Sequence, residues 1–242
     1  MPVRSEAMKA SRNLQRSLVL VGLTAGVLAV GCARTDPAVK RSQRAIETLA
    51  DTRQSMVVAE QTVADSQAAL RAIKDGKGDL TPSFEAFVVQ IGAVRKQADR
   101  VRREGDAVKE QTDEYCTGRS NDVSTITNAE MRKLAQQRAG HVRQECDTIN
   151  TGYGRVNGAF VQYTNSLNDL QRFLANELNY GAVRSGEKWC DEALAAGERL
   201  RGDIRDLALK IELTSNLLSP SPTAVTRWPS TLKSATTRSD TP

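Results

Sequence analysis

A chain of 242 residues carries 34 Lys and Arg against 29 Asp and Glu, with aromatic residues at only 4% and charged residues at 26%. So low an aromatic content argues against the thick core of a globular enzyme and suits long helices joined along narrow apolar seams. The formal charge of +5 is concentrated at the front, where residues 1–31 hold Arg4, Lys9, Arg12 and Arg16 against Glu6; the remainder balances 30 basic with 28 acidic groups, without the basic field that nucleic acid requires.

The first element is a targeting segment. Four basic side chains precede an uncharged stretch from Ser17 to Gly31, which is short for a bilayer crossing and has the length of a secretory apolar region. Ala29, Val30 and Gly31 lead into Cys32. Gly31-Cys32 fits the end of a lipoprotein signal, although Ala29 stands where Leu is usual and Val30 where a small residue is usual. The expectation is a signal peptide over 1–31, cleavage before Cys32 and acylation of Cys32, with an uncleaved anchor or ordinary signal cleavage as the alternatives. Export independently removes nucleic acid as a partner. Residues 32–37 then form a short tether.

Proline usage leaves most of the remaining chain free to be helical. Apart from Pro2, Pro37 and Pro82, the prolines are Pro220, Pro222, Pro229 and Pro242, so nothing between Pro82 and Pro220 forbids uninterrupted helix. A first helix is predicted over 38–74, with Leu49, Met56, Val63 and Leu70 on one heptad position and Thr52, Ala59, Ser66 and Ile73 on the other. Two glycines and two aspartates in Lys74-Asp-Gly-Lys-Gly-Asp79 predict a reversal. The second helix, 82–116, opens on Thr81 as N-cap and Pro82 in the first turn. Its seam runs Phe84, Phe87, Ile91, Val94, Ala98, Val101, Gly105, Val108, Thr112 and Tyr115 in alternating steps of three and four.

Thr117-Gly-Arg-Ser-Asn-Asp122 reads as the next boundary. The third helix, 124–178, carries Val142, Cys146, Ile149, Tyr153, Val156, Phe160, Tyr163, Leu167, Leu170, Leu174 and Leu178. At ~1.5 Å per residue it would be about 80 Å long. Gly152, Gly154 and Gly158 interrupt its composition but not its phase, which favours one continuous or mildly bent helix and reads the glycines as points of close helix contact. After a turn at Asn179-Tyr-Gly181, a fourth helix is predicted over 182–218, with Cys190, Ala193, Gly197, Leu200, Ile204, Leu207, Ile211, Thr214 and Leu218 in the same alternation. The expected fold is all-α: an elongated antiparallel bundle of two coiled-coil-like hairpins over 38–218. A Ser/Thr/Pro-rich tail, 219–242, is expected to be disordered.

Chemistry-bearing residues are few. His141 is the only histidine, which excludes metal centres and nucleophile–base dyads built on several imidazoles; it reads as a surface side chain beside Val142. Glu110, Asp113 and Glu114 read as solvated helix surface, and Gly152-Tyr-Gly154 lacks the preceding strand of a nucleotide-binding turn. No catalytic residue, cofactor site or metal site is assigned. Placing the helices end to end puts Cys116 near one end, Cys146 roughly 30 Å along and Cys190 nearly 70 Å along. That spacing predicts no intramolecular bridge, since a disulfide needs Cα atoms within about 7 Å, and makes Cys146 and Cys190 small buried apolar residues. Trp189 would cap one end of the bundle. Trp228, in the tail, is a candidate docking motif.

The stretches "EMRKLAQQRAGHVRQECDTINTGYGRVNGAF" and "LNDLQRFLANELNYGAV", in particular Leu174, Leu178 and Asn179 followed by Ala182 and Val183, resemble a family of bacterial lipoproteins of unknown function built from long helical hairpins. Ala175 and Asn176 depart from it, standing where the family often carries basic residues. The resemblance covers roughly residues 40–218 and implies a helical fold and an envelope location, without an activity. The functional expectation is a non-enzymatic cell-envelope lipoprotein facing the periplasm. It would be tethered to the membrane through Cys32 and act as a rigid spacer or scaffold; Ala33 rather than Asp after the cysteine favours the outer over the inner membrane. The alternative is a coiled-coil adaptor that docks a partner protein through its helical surface or its tail, in an oligomeric state the sequence leaves open.

Overall fold

The computed structural model describes residues 36–219, so the signal segment, Cys32, Trp228 and the tail beyond Ser219 lie outside the described residues. Within them the chain is 91% helix with no strand. Five helices follow in order: α1 (Pro37–Lys74), α2 (Thr81–Ser124), α3 (Ala129–Asn176), α4 (Tyr180–Ser185) and α5 (Glu187–Leu218).

The four long helices make their main contacts in a closed cycle, α1 with α2 and α5, and α3 with α2 and α5. Each of these pairs runs antiparallel. Arg41 pairs with Asp122 across α1 and α2, and the Ser42 hydroxyl donates to the Leu218 carbonyl while Lys74 pairs with Asp191 across α1 and α5. Cys116 meets Cys146 across α2 and α3, and Arg155 meets Asp203 across α3 and α5. The buried side chains are those of the heptad seams, and they merge into one apolar cluster running from Ala45 to Leu218.

Local chemistry sets the helix ends. Asp36 accepts the Ala38 N–H at 2.8 Å, with Pro37 in the first turn of α1. Gly78, at a φ of +92°, makes the reversal after α1 in a left-handed conformation that side chains resist. Thr81 is not the N-cap of α2; Leu80 occupies that position with its side chain buried, and the Asp79 carboxylate accepts the Thr81 N–H at 2.9 Å. Asn128 caps α3 by accepting from the Glu130 and Met131 N–H groups, each at 3.0 Å.

Several boundaries differ from the sequence expectation. α3 ends at Asn176 rather than 178, and Tyr180 and Gly181, expected in a turn, open α4 behind Asn179, whose side chain accepts the Ala182 N–H at 2.9 Å. α2 continues eight residues past Cys116, because Arg41 of α1 crosses Gly118 to reach Asp122 and Val123 is buried near Gln136 and Ala139 of α3; these contacts outweigh the turn-forming composition of 117–122. α3 starts at Ala129 rather than 124, where Asn128 offers a cap. The fourth segment divides into α4 and α5 at Gly186, whose missing side chain leaves room for the Phe173 ring. α3 passes through Gly152, Gly154 and Gly158 as a single 48-residue helix.

Candidate functional site

The most organised side-chain chemistry lies between α1 and α5. Arg53, Glu60, Gln67 and Lys74 recur at intervals of seven along α1, beside its apolar seam, and each meets α5. Arg53 Nε donates to Glu212 Oε2 at 2.9 Å. The Glu60 carboxylate, only 5% exposed, accepts from Arg201 at 2.7 Å, with Arg205 at 3.5 Å. Gln67, fully buried, donates to the Leu194 carbonyl at 2.8 Å; it occupies the space that a side chain at Gly197 would take. Lys74 closes the row on Asp191, with Glu187 at 3.7 Å. Such a row sets register: moving α5 by one heptad would bring Leu194 or Ala208 to the place of Arg201 and leave Glu60 buried without its guanidinium.

Two tyrosines of α3 project toward the other side of this row. The Ser66 hydroxyl donates to the Val63 carbonyl at 2.7 Å, so the Tyr163 hydroxyl, 2.8 Å away, donates to Ser66 Oγ. Burial pushes the Tyr163 pKa up to about 12. Burial raises Tyr153 as well; its hydroxyl faces Thr52 without closing a hydrogen bond of normal geometry. Thr52 and Ser66 share a heptad position, and their small side chains admit α3 tyrosines into the core.

The cysteines are placed differently from the end-to-end expectation. Cys116 and Cys146 are both buried with their sulfurs 4.0 Å apart. Distance along the chain misleads here because an antiparallel hairpin folds the second position back beside the first. α2 also runs past Cys116, and Ala129–His141 at the start of α3 contains no buried side chain, so the opening turns of α3 extend past the end of α2. The shared thiol hydrogen bond holds the Cys116 pKa below its ordinary value and pushes Cys146 up. Cys190 is fully buried on the α5 seam, and burial raises its pKa.

The remaining sequence candidates fall on the surface. His141 is exposed beside buried Val142. Asp113 lies 3.7 Å from Arg143, and Glu114 accepts from Gln111 at 3.3 Å, on the outer face of α2. Trp189 is half-exposed and stands edge-on to Phe173, ring centres 5.5 Å apart. The two rings wall a cleft of about 350 Å³ between α3 and α5, rimmed by Asp169 and Glu192. Both carboxylates already have neighbours, Arg172 at 3.5 Å and Lys188 at 3.8 Å, and the cleft holds no nucleophile–base pair. It can admit an apolar side chain. Among the described residues no three His, Cys, Asp or Glu side chains gather as a metal site, and no helix is long and apolar enough to cross a membrane.

No family model, curated protein or solved structure matches this chain.

Proposed function

We propose that this protein is a non-enzymatic lipoprotein of the bacterial cell envelope, held by acyl chains on Cys32 and acting as a stiff spacer or scaffold on the periplasmic side of the outer membrane. The observation that carries the reading is the shared core: helices of 38, 44, 48 and 32 residues bury one apolar cluster along their length. Four such helices, each antiparallel to two neighbours, make an elongated bundle of two coiled-coil-like hairpins. At ~1.5 Å per residue the longest spans roughly 70 Å. The positive flank, the apolar stretch and Gly31-Cys32 supply the tether in this reading, and the resemblance to helical envelope lipoproteins agrees with it. Labelling with an alkyne fatty acid, followed by fractionation of the two membranes, tests the anchor. The wild-type chain is expected to take up label and sediment with the outer membrane, and Cys32→Ala to lose both properties. Equal labelling of the two chains, or an unlabelled wild type, would reject it.

One observation favours a second reading as an adaptor. Leu209, Leu213 and Leu217 form a stripe at intervals of four on the outer face of α5 and are 53%, 52% and 44% exposed. A partner helix with its own apolar stripe would cover them. Crosslinking from this face in intact cells distinguishes the readings: a reproducible heterologous partner lost on Leu213→Glu supports the adaptor, and an unchanged pattern supports the spacer.

A further inference from the structure

We propose that Cys116 and Cys146 are a disulfide-forming pair that staples α2 to α3. The inference does not depend on acylation of Cys32. Two buried sulfurs 4.0 Å apart on facing helices lie about 2 Å beyond bonding distance, a gap that side-chain rotation with a small helix adjustment closes. Heptad packing alone needs no second thiol here; Cys116 is an additional buried position one residue past the seam residue Tyr115.

The surroundings assign the two sulfurs different parts. Cys116 lines an open groove with Ser120, Gln136, Gly140 and Arg143, whereas Cys146 lies behind it and does not line the groove. The groove's volume, about 350 Å³, admits a small disulfide. The space beside Gly140 is open, with nothing within 4 Å of where a Cβ would stand. The hydrogen bond with Cys146, and after it the Arg143 guanidinium, favours a thiolate at Cys116.

The reaction is thiol–disulfide exchange with an external disulfide as oxidant, either oxidised glutathione or the active disulfide of an oxidoreductase. The Cys116 thiolate attacks one oxidant sulfur, forming a mixed disulfide and expelling the other sulfur as a thiolate. Cys146 then gives up its proton and attacks the Cys116 sulfur, forming the internal bond and expelling the second oxidant sulfur. Two protein thiols are oxidised and one disulfide is reduced to two thiols, which take up the two protons. The bond encloses the 125–128 connection and the projecting turns of α3, so oxidation fastens the end of the molecule where α3 extends past α2.

The test uses the full chain with Cys32→Ala, which leaves Cys116, Cys146 and Cys190. The folded protein is incubated with oxidised glutathione, quenched with acid, denatured and treated with a polyethylene-glycol maleimide. The expected product is a monomer with one maleimide adduct, at Cys190, and a Cys116–Cys146 crosslinked peptide by mass spectrometry. Adding Cys146→Ser is expected to trap a mixed disulfide on Cys116, one glutathionyl group heavier. Peptide mapping of the chain with its three thiols needs no further substitution, so the result stands even if the serine variant folds poorly. Three adducts, a disulfide-linked dimer, a bridge to Cys190, or a stable mixed disulfide in the chain that keeps Cys146 would each overturn the proposal.

Discussion

The contact between α1 and α5 and the contact between α2 and α3 use the same heptad spacing for different ends. Beside its apolar seam, α1–α5 carries a row of buried or half-buried polar pairs, Arg53–Glu212, Glu60–Arg201 and Gln67 with the Leu194 carbonyl. α2–α3 meets instead through shape: the Tyr153 ring fills the notch at Gly105, and two thiols face each other. Its polar pairs lie outside the seam, as with Asp113 and Arg143, both half-exposed. Shape alone holds helices tightly but tolerates sliding by a whole heptad. A buried charge with a single well-placed partner does not, because desolvation makes every other register costly. The polar row selects the alignment, and the apolar seam supplies most of the stabilisation.

If that division holds, truncation in the seam has the largest effect. Phe160, 1% exposed on α3, is the side chain to remove: Phe160→Ala should lower stability by about 3–5 kcal/mol, read as a drop in the urea midpoint at unchanged slope. A loss below about 1 kcal/mol would mean that the core closes over the gap and that shape matters less than supposed.

Arg201→Met comes next, at about 2–3 kcal/mol, because Glu60 stays buried with only Arg205 at 3.5 Å to compensate. The sharper measurement is the pair. Glu60→Leu combined with Arg201→Met is expected to recover most of the loss, since burying neither charge is cheaper than burying one. It should also weaken the register, seen as additional crosslinks between cysteines introduced one heptad out of step on α1 and α5. Full stability together with an unchanged crosslinking pattern would show that the row has no part in alignment.

The sequence made the seams legible almost residue by residue. Every heptad residue assigned to α1 and α5 is buried; among those assigned to the second and third helices only Phe84, Ala98 and Leu178 are partly exposed, and Leu178 lies past the end of α3. Alternating steps of three and four need only local geometry, and so does the passage of α3 through its glycines. The polar row was equally periodic, since Arg53, Glu60, Gln67 and Lys74 are seven apart, but a search weighted toward apolar residues passes over it. The Cys116–Cys146 contact required more than period. Its register depends on how far α2 continues through 117–124 and how far α3 projects, and both are set by contacts with Arg41 and by the Asn128 cap rather than by local propensity. No sequence pattern distinguishes Gly152, which faces Leu207, from Gly154 and Gly158, which face open space; the expected close contacts at the latter two are absent.

Alkaline titration probes the tyrosines that reach α1. Tyrosine ionises near 10 in an unfolded chain, whereas burial holds Tyr163 neutral to about 12. The folded pKa is raised, so the stability Tyr163 contributes is fully present below pH 10 and is lost as pH rises from about 10 to about 12, on the order of 2 kcal/mol in all. Tyr163→Phe should flatten that part of the stability–pH curve, leaving the slope due to Tyr153. An unchanged curve would place the titrating groups elsewhere and remove the tie between α3 and the α1 side.

The last pair of effects has opposite signs on two glycines, one inside the α2–α3 contact and one outside it. A methyl group at Gly105 would sit 2.7 Å from Tyr153 Cδ1, and the ring has little freedom to retreat among buried neighbours, so Gly105→Ala should cost about 1–3 kcal/mol through overpacking. Gly154, one residue beyond that tyrosine on α3, is exposed, and a methyl group there would meet nothing within 4 Å. At that position the substitution only removes backbone freedom from the unfolded chain, and Gly154→Ala should stabilise by about 0.5–1 kcal/mol. Denaturant midpoints moving in opposite directions would show that the notch at Gly105 is a packing feature and that Gly154 is simply an inefficient helix residue. If both variants were stabilised, Tyr153 would have room to move, and α2–α3 would hold by apolar area alone, without the fit that distinguishes it from α1–α5.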